Sequence, residues 1–318
     1  MILKINSSEI TINLYNIQIP FLKELMLKSH KYLPYTFFSK NCFERHTIRG
    51  DSSRIHISEW IPFHNELISC FAGRESFDTM FQNFNDISYK LNFLLDNELE
   101  NLETNYINLN EINTIVKYFI LLHTFSSLNY LYNPSTDYGI KNWSNDLVDK
   151  VGVSDEIPYR IENRLMFLDL LLANYENTSE INFFGGNGLY RQFYLDLIYT
   201  GDEEYINKKT RRNLLSEIRK RNKESIIEEK TFLQNKWREQ RKKANSIIKK
   251  YTDSYEKRAL LFLKFVCTEE EVRHKLDTKF FYFLGKLFRK LEMEAQSVTY
   301  DSLRLHIRVY NERNQKGE

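Results

Sequence analysis

Arginine and histidine side chains cluster around a single glycine in residues 43–57, which read Phe-Glu-Arg-His-Thr-Ile-Arg-Gly-Asp-Ser-Ser-Arg-Ile-His-Ile. The last four residues alternate between polar and apolar types, which is the period of a half-buried strand. The alternation predicts that Arg54 and His56 share one face of a sheet, while Ile55 and Ile57 enter a core. An arginine fork binds carboxylate and carbonyl oxygens, and histidine changes charge near neutral pH. This face is therefore suited to holding a polar substrate and moving protons on it.

The same cluster has two other interpretations. It could be a solvated sheet face whose cations form ion pairs with Glu44, Asp51 and Glu59. A zinc site would need four ligands at gaps that match no standard zinc spacing: Cys42, His46, His56 and His64. We therefore predict no metal here.

A second candidate segment is rich in glycine. Residues 184–193 read Phe-Gly-Gly-Asn-Gly-Leu-Tyr-Arg-Gln-Phe, and three of the ten glycines fall within 185–188. Glycines let the backbone approach a ligand, and the helix predicted after them presents free N–H groups to an anion or a carbonyl oxygen. The expected contacts lie in this bend and in the first turn of the helix: Gly186, Asn187, Gly188, Tyr190 and Arg191. Because the lysine of a phosphate loop and the full dinucleotide fingerprint are missing, a plain turn is the alternative.

Charge is distributed unevenly along the chain. The net charge is +2, but residues 207–250 hold 16 Lys and Arg against 5 Asp and Glu, and the remainder holds 29 against 38. The stretch is helix-prone and carries apolar residues at intervals, which is typical of an amphipathic helix with a solvated charged face. It could instead bind an acidic peptide or a nucleic-acid backbone, although no recognised nucleic-acid-binding motif lies nearby.

Composition bounds the class of protein. The 42% hydrophobic residues, with 23 Phe and 20 Tyr in 318 residues, argue against disorder on a large scale. The three cysteines, Cys42, Cys70 and Cys267, are far apart and odd in number, which argues for a reducing compartment. The N-terminus lacks a signal-peptide pattern, and no apolar run approaches the ~20 residues of a membrane span. We therefore expect a soluble cytoplasmic protein without membrane contact.

Periodicity predicts the elements that position these residues. Residues 8–16 predict a strand, Pro20 opens a helix to about Tyr32 that Pro34 ends, and segments 36–46 and 53–60 predict a hairpin. The turn of this hairpin is expected at Arg49-Gly50-Asp51-Ser52. The predicted helices that follow are 75–100, 110–132, 157–175, 189–199, 207–250 and 268–292. Alternation in 302–310 predicts a last strand.

This order of elements predicts an α+β fold, with a small antiparallel sheet near the N-terminus packed against a predominantly helical body. We treat residues 1–318 as a single catalytic domain. Within it, residues 1–65 form the strand–helix–hairpin part and residues 66–318 the mainly helical part.

The hairpin and the glycine bend together resemble a known family, the thiopeptide-type bacteriocin biosynthesis proteins. These are stand-alone relatives of the C-terminal glutamate-elimination domain of lantibiotic dehydratases. Phe43-x-Arg45-His46, Arg49-Gly50 and Arg54-x-His56 are similar to the family's aromatic-x-Arg-His…Arg-Gly-Pro-His-Leu-Arg-Leu-His strand pair. Gly188-Leu-Tyr190-Arg191-Gln-Phe193 is similar to its Gly…Ser-Tyr/Phe-Arg-Ser-His-Ala-Glu-Ala-Phe segment. The matching motifs cover about 60 of the 318 residues.

Two departures from the family pattern affect the chemistry. Asp51-Ser52 stands where the family has Pro-His, and Phe193 and Leu195 stand where its second motif has His and Glu. If those family residues transfer protons, this chain must use other groups for the same purpose. His46, His56 and Tyr190 are the available substitutes.

The likeness is strongest to the pyridine synthases that close thiopeptide macrocycles, and it implies their activity. Such an enzyme joins two dehydroalanines of a modified precursor peptide in a formal aza-cycloaddition, with loss of water and leader peptide. Arg54 and Arg191 would contact carbonyl and imidate oxygens, and His46 or His56 would transfer protons. Tyr190 would donate a hydrogen bond from its hydroxyl group, and Arg45 and Arg49 would contact the substrate.

The resemblance also implies partners and cofactors. No metal or organic cofactor is needed, and the expected partner is the precursor peptide with its leader rather than a nucleic acid. The acidic leader would lie on residues 207–250 or on the flank of the hairpin.

Two alternatives stay open. One is a glutamate-elimination lyase of the same fold, which would make dehydroamino acids in a ribosomal peptide. The other belongs to a different class, a helical protein that binds nucleic acid or a protein partner through residues 207–250.

Overall fold

A small sheet lies at the N-terminal end of a mainly helical protein. The computed structural model of the chain describes residues 2–5, 8–13, 19–70, 75–104, 106–127, 150–173, 175, 208, 212–213, 215–252 and 255–316. Four antiparallel strands pair in the order β1-β2-β4-β3. They are β1 (Ile2–Ile5), β2 (Glu9–Asn13), β3 (His46–Arg49) and β4 (Ser52–His56). The predicted α+β class, with a small N-terminal sheet and a predominantly helical body, is confirmed.

Long helices make up most of the described chain. Their bounds are α1 (Pro20–Ser29), α2 (Leu33–Phe38), α3 (Ile57–Cys70), α4 (Glu75–Asn101), α5 (Leu109–Thr124), α6 (Tyr159–Ala173), α7 (Lys223–Lys250), α8 (Tyr255–Lys290) and α9 (Tyr300–Lys316). Short 3-10 turns at His30–Tyr32 and Phe125–Ser127 extend α1 and α5.

The β3–β4 turn forms at the predicted position. Gly50 has a φ of 58°, in the left-handed region that glycine enters without strain. A Cβ at this position would meet no atom within 4 Å, so the turn requires glycine for its backbone angle and not for space. Asp51 forms an ion pair with Lys23 of α1 at 2.6 Å, which connects the tip of the hairpin to the helix.

One face of the sheet enters the main core. Ile10, Ile12 and Ile55 are at most 3% exposed and belong to a single cluster with the apolar faces of α1–α5, α8 and α9. In this cluster Phe119 of α5 stacks on Phe280 of α8 with ring centroids 3.9 Å apart. Burial of so many aromatic side chains fixes the sheet on the helical body.

The first part of the predicted hairpin is wrong. Residues 36–38 belong to helix α2, and Pro34 lies in the first turn of that helix and does not terminate one. Proline is tolerated there because the first N–H groups of a helix have no partner within the helix. The second strand ends at His56, and residues 57–60 begin helix α3.

The predicted last strand, 302–310, is also wrong, because these residues lie within helix α9. Leu303 and Ile307, four residues apart, are 1% and 0% exposed, whereas Leu305 and Val309 are 59% and 38% exposed. The cap of the helix explains this outcome. The Thr299 N–H donates to Ser302 Oγ at 2.8 Å and the Ser302 N–H donates to Thr299 Oγ1 at 3.2 Å, a reciprocal pair that starts a helix.

Other helix boundaries shift along the chain. The helix predicted at 268–292 begins earlier, at Tyr255. In the segment predicted as one helix at 207–250, a turn at Arg219–Lys220 precedes α7, which begins only at Lys223. The predicted helix 189–199 lies outside the described residues, as do residues 128–132 of the helix predicted at 110–132. Within the described part of the chain, no helix is both long enough and apolar enough to cross a membrane.

Candidate active site

The outer face of the sheet carries the polar residues that the alternation predicts. Strand pairing places Glu9 opposite His56, and both Thr11 and Thr47 opposite Arg54. Because directly paired residues project from the same side of a sheet, these five side chains share one face. Ile55 lies between Arg54 and His56 in β4, is 0% exposed and points to the core.

Arg54 lies on this face with one long ion-pair contact and one unpartnered donor among the described residues. Its Nη1 lies 3.4 Å from Glu9 Oε2, a long contact, and its side chain is 33% exposed. Its Nε is buried and has no hydrogen-bond partner among the described residues. A guanidinium offers five N–H donors, and a buried donor without an acceptor costs about 1–3 kcal/mol. The group is therefore available to an oxygen of a ligand.

His56 lies two residues further along the same face. Its Nδ1 lies 2.7 Å from Ser58 Oγ and accepts from the Ser58 N–H at 3.3 Å. Because a backbone N–H can only donate, Nδ1 is the acceptor and the proton of the neutral ring resides on Nε2. The imidazole is therefore oriented by Ser58, with Nε2 as the nitrogen that can serve a substrate.

The chain leading into β3 is fixed by one carboxylate. Glu59 of α3 accepts from the Glu44 N–H at 3.0 Å and from the Arg45 N–H at 2.9 Å. Arg45 lies beside the end of β4, since its carbonyl accepts from the His56 N–H at 3.2 Å. Arg49, at the far end of β3, is exposed. The backbone at Arg45 is thus rigid while its side chain reaches solvent.

His46 lies on the opposite side of the sheet from Arg54. It pairs with Ile55, so it projects toward the helices, and its Nε2 lies 2.7 Å from Ser53 Oγ. Burial and the nearby Lys31 lower the pKa of His46 to about 4, although the Leu27 carbonyl and Glu59 oppose this shift. His46 and Arg54 therefore do not line one cleft, and His56 is the histidine that shares the face of Arg54.

A second buried histidine, His30, lies beside His46. Its side chain is 2% exposed, and burial together with the proximity of His46 lowers its pKa to about 3. The unfolded chain takes up a proton near pH 6.5, and the folded chain does so only near pH 3, so stability falls as pH falls through this range. We expect the His30 titration to lower the free energy of unfolding by about 2 kcal/mol when the pH falls from 7 to 5.

The variant His30→Phe removes this titration, so its loss of stability between pH 7 and pH 5 is expected to be smaller by about 2 kcal/mol. Urea unfolding followed by circular dichroism at both pH values measures the difference. His306→Gln, at an exposed histidine of α9, is the matched control and should keep the pH dependence of the parent protein. An unchanged pH dependence in His30→Phe would contradict the assignment.

The glycine bend lies outside the described residues, so Gly186, Asn187, Gly188, Tyr190 and Arg191 remain predictions from sequence. The convergence of this bend with the outer sheet face is likewise a prediction. Among the described residues, no group of three or more His, Cys, Asp or Glu side chains is arranged to hold a metal.

Sequence reasoning missed a polar network in the helical core. His123 Nε2 of α5 lies 2.8 Å from Asp277 Oδ1 of α8, and Arg273 contacts both Asp277 at 3.7 Å and Glu269 at 2.7 Å. Glu269, Arg273 and Asp277 follow the i, i+4 spacing of a helical ion-pair row, which was a readable signal. Glu269 Oε2 is buried without a hydrogen-bond partner among the described residues, and the other contacts pair these groups with one another across the α5–α8 contact. We therefore interpret the network as structural.

Comparison of the chain with protein-family models, with curated proteins and with solved structures finds no match. A functional interpretation therefore depends on the chemistry of the outer sheet face and on the motifs of the sequence.

Proposed function

We propose that this protein is a thiopeptide pyridine synthase whose substrate lies on the outer face of the sheet. The observation that carries the proposal is Arg54, a half-buried guanidinium whose Nε has no hydrogen-bond partner among the described residues, on the same face as His56. The resemblance of both strands of the hairpin and of the glycine bend to this family supports the same interpretation.

The proposed reaction balances without an oxidant. The amide that joins one dehydroalanine to the preceding residue reacts as its imidic-acid tautomer. One C–C bond forms between the methylene carbons of the two dehydroalanines, and a second forms between the imidate carbon and the α-carbon of the other dehydroalanine. The imidate hydroxyl then leaves with one ring proton as water, and the leader leaves as its amide with a second ring proton. The protein must therefore orient two alkenes, hold an oxygen and move protons.

Each of these tasks has a candidate group. Arg54 would donate to the imidate oxygen, where charge develops in the transition state. The Nε2 of His56 would exchange protons with the substrate, since Ser58 occupies its Nδ1. Tyr190 and Arg191 of the glycine bend would complete the site from the other side, and Arg45 and Arg49 would contact the peptide.

The substrate assay separates this activity from its nearest alternative. The full chain is incubated with a dehydroalanine-bearing precursor peptide that carries its leader, and the masses of the products are measured by mass spectrometry. We expect a macrocycle lighter than the precursor by water and the whole leader, together with the free leader amide. With a glutamylated precursor, loss of glutamate alone would instead identify an elimination lyase and overturn the proposal, as would the absence of any product.

A further inference from the structure

Helix α7 carries an exposed face with two chemically different halves. Ile227, Thr231, Arg238, Lys242 and Lys249 follow one another at intervals of four and seven residues, so they lie along one side of the helix. We call these five positions the α7 stripe. At 1.5 Å per residue the stripe is about 33 Å long.

The C-terminal half of the α7 stripe is cationic. Arg238, Lys242 and Lys249 line a groove of about 510 Å³, together with Arg241 and Trp237, and no carboxylate is among its lining residues. Arg241 forms an ion pair with Asp155 at 3.0 Å, whereas the described residues supply no ion-pair partner to Arg238, Lys242 or Lys249. An anionic ligand would neutralise this groove.

A buried donor in the same groove points to a ligand independently of the charges. Trp237 is 9% exposed, and its Nε1 is buried without a hydrogen-bond partner among the described residues. The Arg241 guanidinium lies over the indole ring at 5.5 Å and leaves the N–H unsatisfied. Buried indole N–H groups usually have an acceptor, so an oxygen of a bound ligand would complete this site.

The N-terminal half of the α7 stripe, Ile227 and Thr231, lines a second groove of about 620 Å³. Ile227 and Phe232 line it and are 47% and 60% exposed. Glu228, Glu239 and Lys236 also line this groove, so its carboxylates outnumber its cations. These carboxylates repel a continuous phosphate backbone, whereas a peptide with apolar residues here and acidic residues further along fits both halves.

We propose that the α7 stripe, together with the adjacent Phe232, docks an acidic peptide segment, whose apolar residues lie against Ile227 and Phe232 and whose carboxylates lie among Arg238, Lys242 and Lys249. The docking surface is separate from the outer sheet face. The inference does not rest on the proposed synthase activity, because it concerns binding and can be measured without turnover.

The test is a binding titration of the full chain with a fluorescein-labelled probe. The probe is an alanine-rich helical peptide with Leu and Phe at one end and four Glu at the other on the same side, prepared in both sequence orders. A second probe replaces each Glu by Gln, and a labelled single strand of oligo(dT) represents nucleic acid. We expect the acidic probe to bind in one order, and the Gln probe to bind at least tenfold more weakly.

Variants then locate the site. The double variant Arg238→Glu/Lys242→Glu should lose at least tenfold in affinity for the acidic probe, and Phe232→Ser at least threefold. Lys243→Glu is the matched control, because it makes half of the charge change of the double variant, two units instead of four, on the same helix about a third of a turn away. It should lose less than twofold. Lys249→Gln, a milder change, should lose about threefold and keeps the test valid if the double variant fails to fold.

Three results would overturn the inference. One is an acidic probe that binds no more tightly than the Gln probe. Another is a loss of affinity in Lys243→Glu that reaches the square root of the loss in the double variant, because diffuse charge attraction would scale with the two-unit and four-unit charge changes. The third is tighter binding of oligo(dT) than of the acidic probe, with a steep dependence on salt, which would identify a nucleic-acid surface.

Discussion

Replacing Arg54 by alanine should lower kcat for macrocycle formation at least about a hundredfold, because it removes the donor to the imidate oxygen. KM should change far less, since this contact strengthens as charge develops in the transition state. Arg54→Lys should recover only part of the activity, because an ammonium lacks the planar fork of donors. Single-turnover kinetics with the dehydroalanine-bearing precursor, followed by mass spectrometry, measure both parameters.

The control for this experiment is Arg308→Ala, which removes an exposed arginine of α9. It should leave kcat unchanged. Thermal unfolding of both Arg54 variants must match the parent protein within a few degrees, since Arg54 contacts only Glu9 among the ion pairs of the described residues. Full activity in a folded Arg54→Ala variant would remove Arg54 from the site.

The largest effect on stability is expected at Asp277. Burial alone would raise the pKa of Asp277, but the adjacent His123 and Arg273 bring it below its ordinary value, so the carboxylate is charged. Burial raises the pKa of Glu269 to about 7 in spite of Arg273, so at neutral pH Glu269 is only partly ionised. Asp277→Ala therefore leaves a buried guanidinium poorly compensated and should cost about 3–5 kcal/mol of unfolding free energy.

Glu269→Gln provides the sharp comparison within the same network. Because Glu269 is partly protonated, an amide replaces it with little loss, and we expect a cost below about 1 kcal/mol. Asp86→Ala, at an exposed aspartate of α4, should cost less than about 0.5 kcal/mol. Urea unfolding at pH 7 measures all three variants. Equal costs for Asp277→Ala and Glu269→Gln would show that both carboxylates carry the same charge.

Local patterns predicted the outer sheet face well. The alternation of Arg54, Ile55 and His56 has the period of a strand, and Gly50 between two short polar runs marks a turn, so the geometry follows from adjacent residues. The position of His46 could not be predicted in the same way. Its face depends on the register of β3 against β4, which pairs His46 with Ile55, and a shift of one residue would reverse it.

The failed predictions have a common physical origin. In residues 302–310 apolar residues alternate, yet tertiary burial selects Leu303 and Ile307, and the Thr299–Ser302 cap starts a helix. Long-range partners such as His123 and Asp277 are 154 residues apart, and no local spacing connects them. Periodicity indicates which faces of an element can be buried, whereas the packing of the whole chain decides which of these faces are buried in the folded protein.

The central claim is that the outer sheet face and the glycine bend form one substrate cleft. Spin labels at Thr47→Cys, beside Arg54, and at Asn187→Cys test it directly in a protein whose three native cysteines are replaced by serine. Pulsed electron–electron double resonance then measures the distance between the two labels. We predict a distribution centred below about 25 Å, allowing for the label arms and one peptide between the two walls. A distribution centred beyond that distance would place the bend elsewhere on the protein and contradict the account.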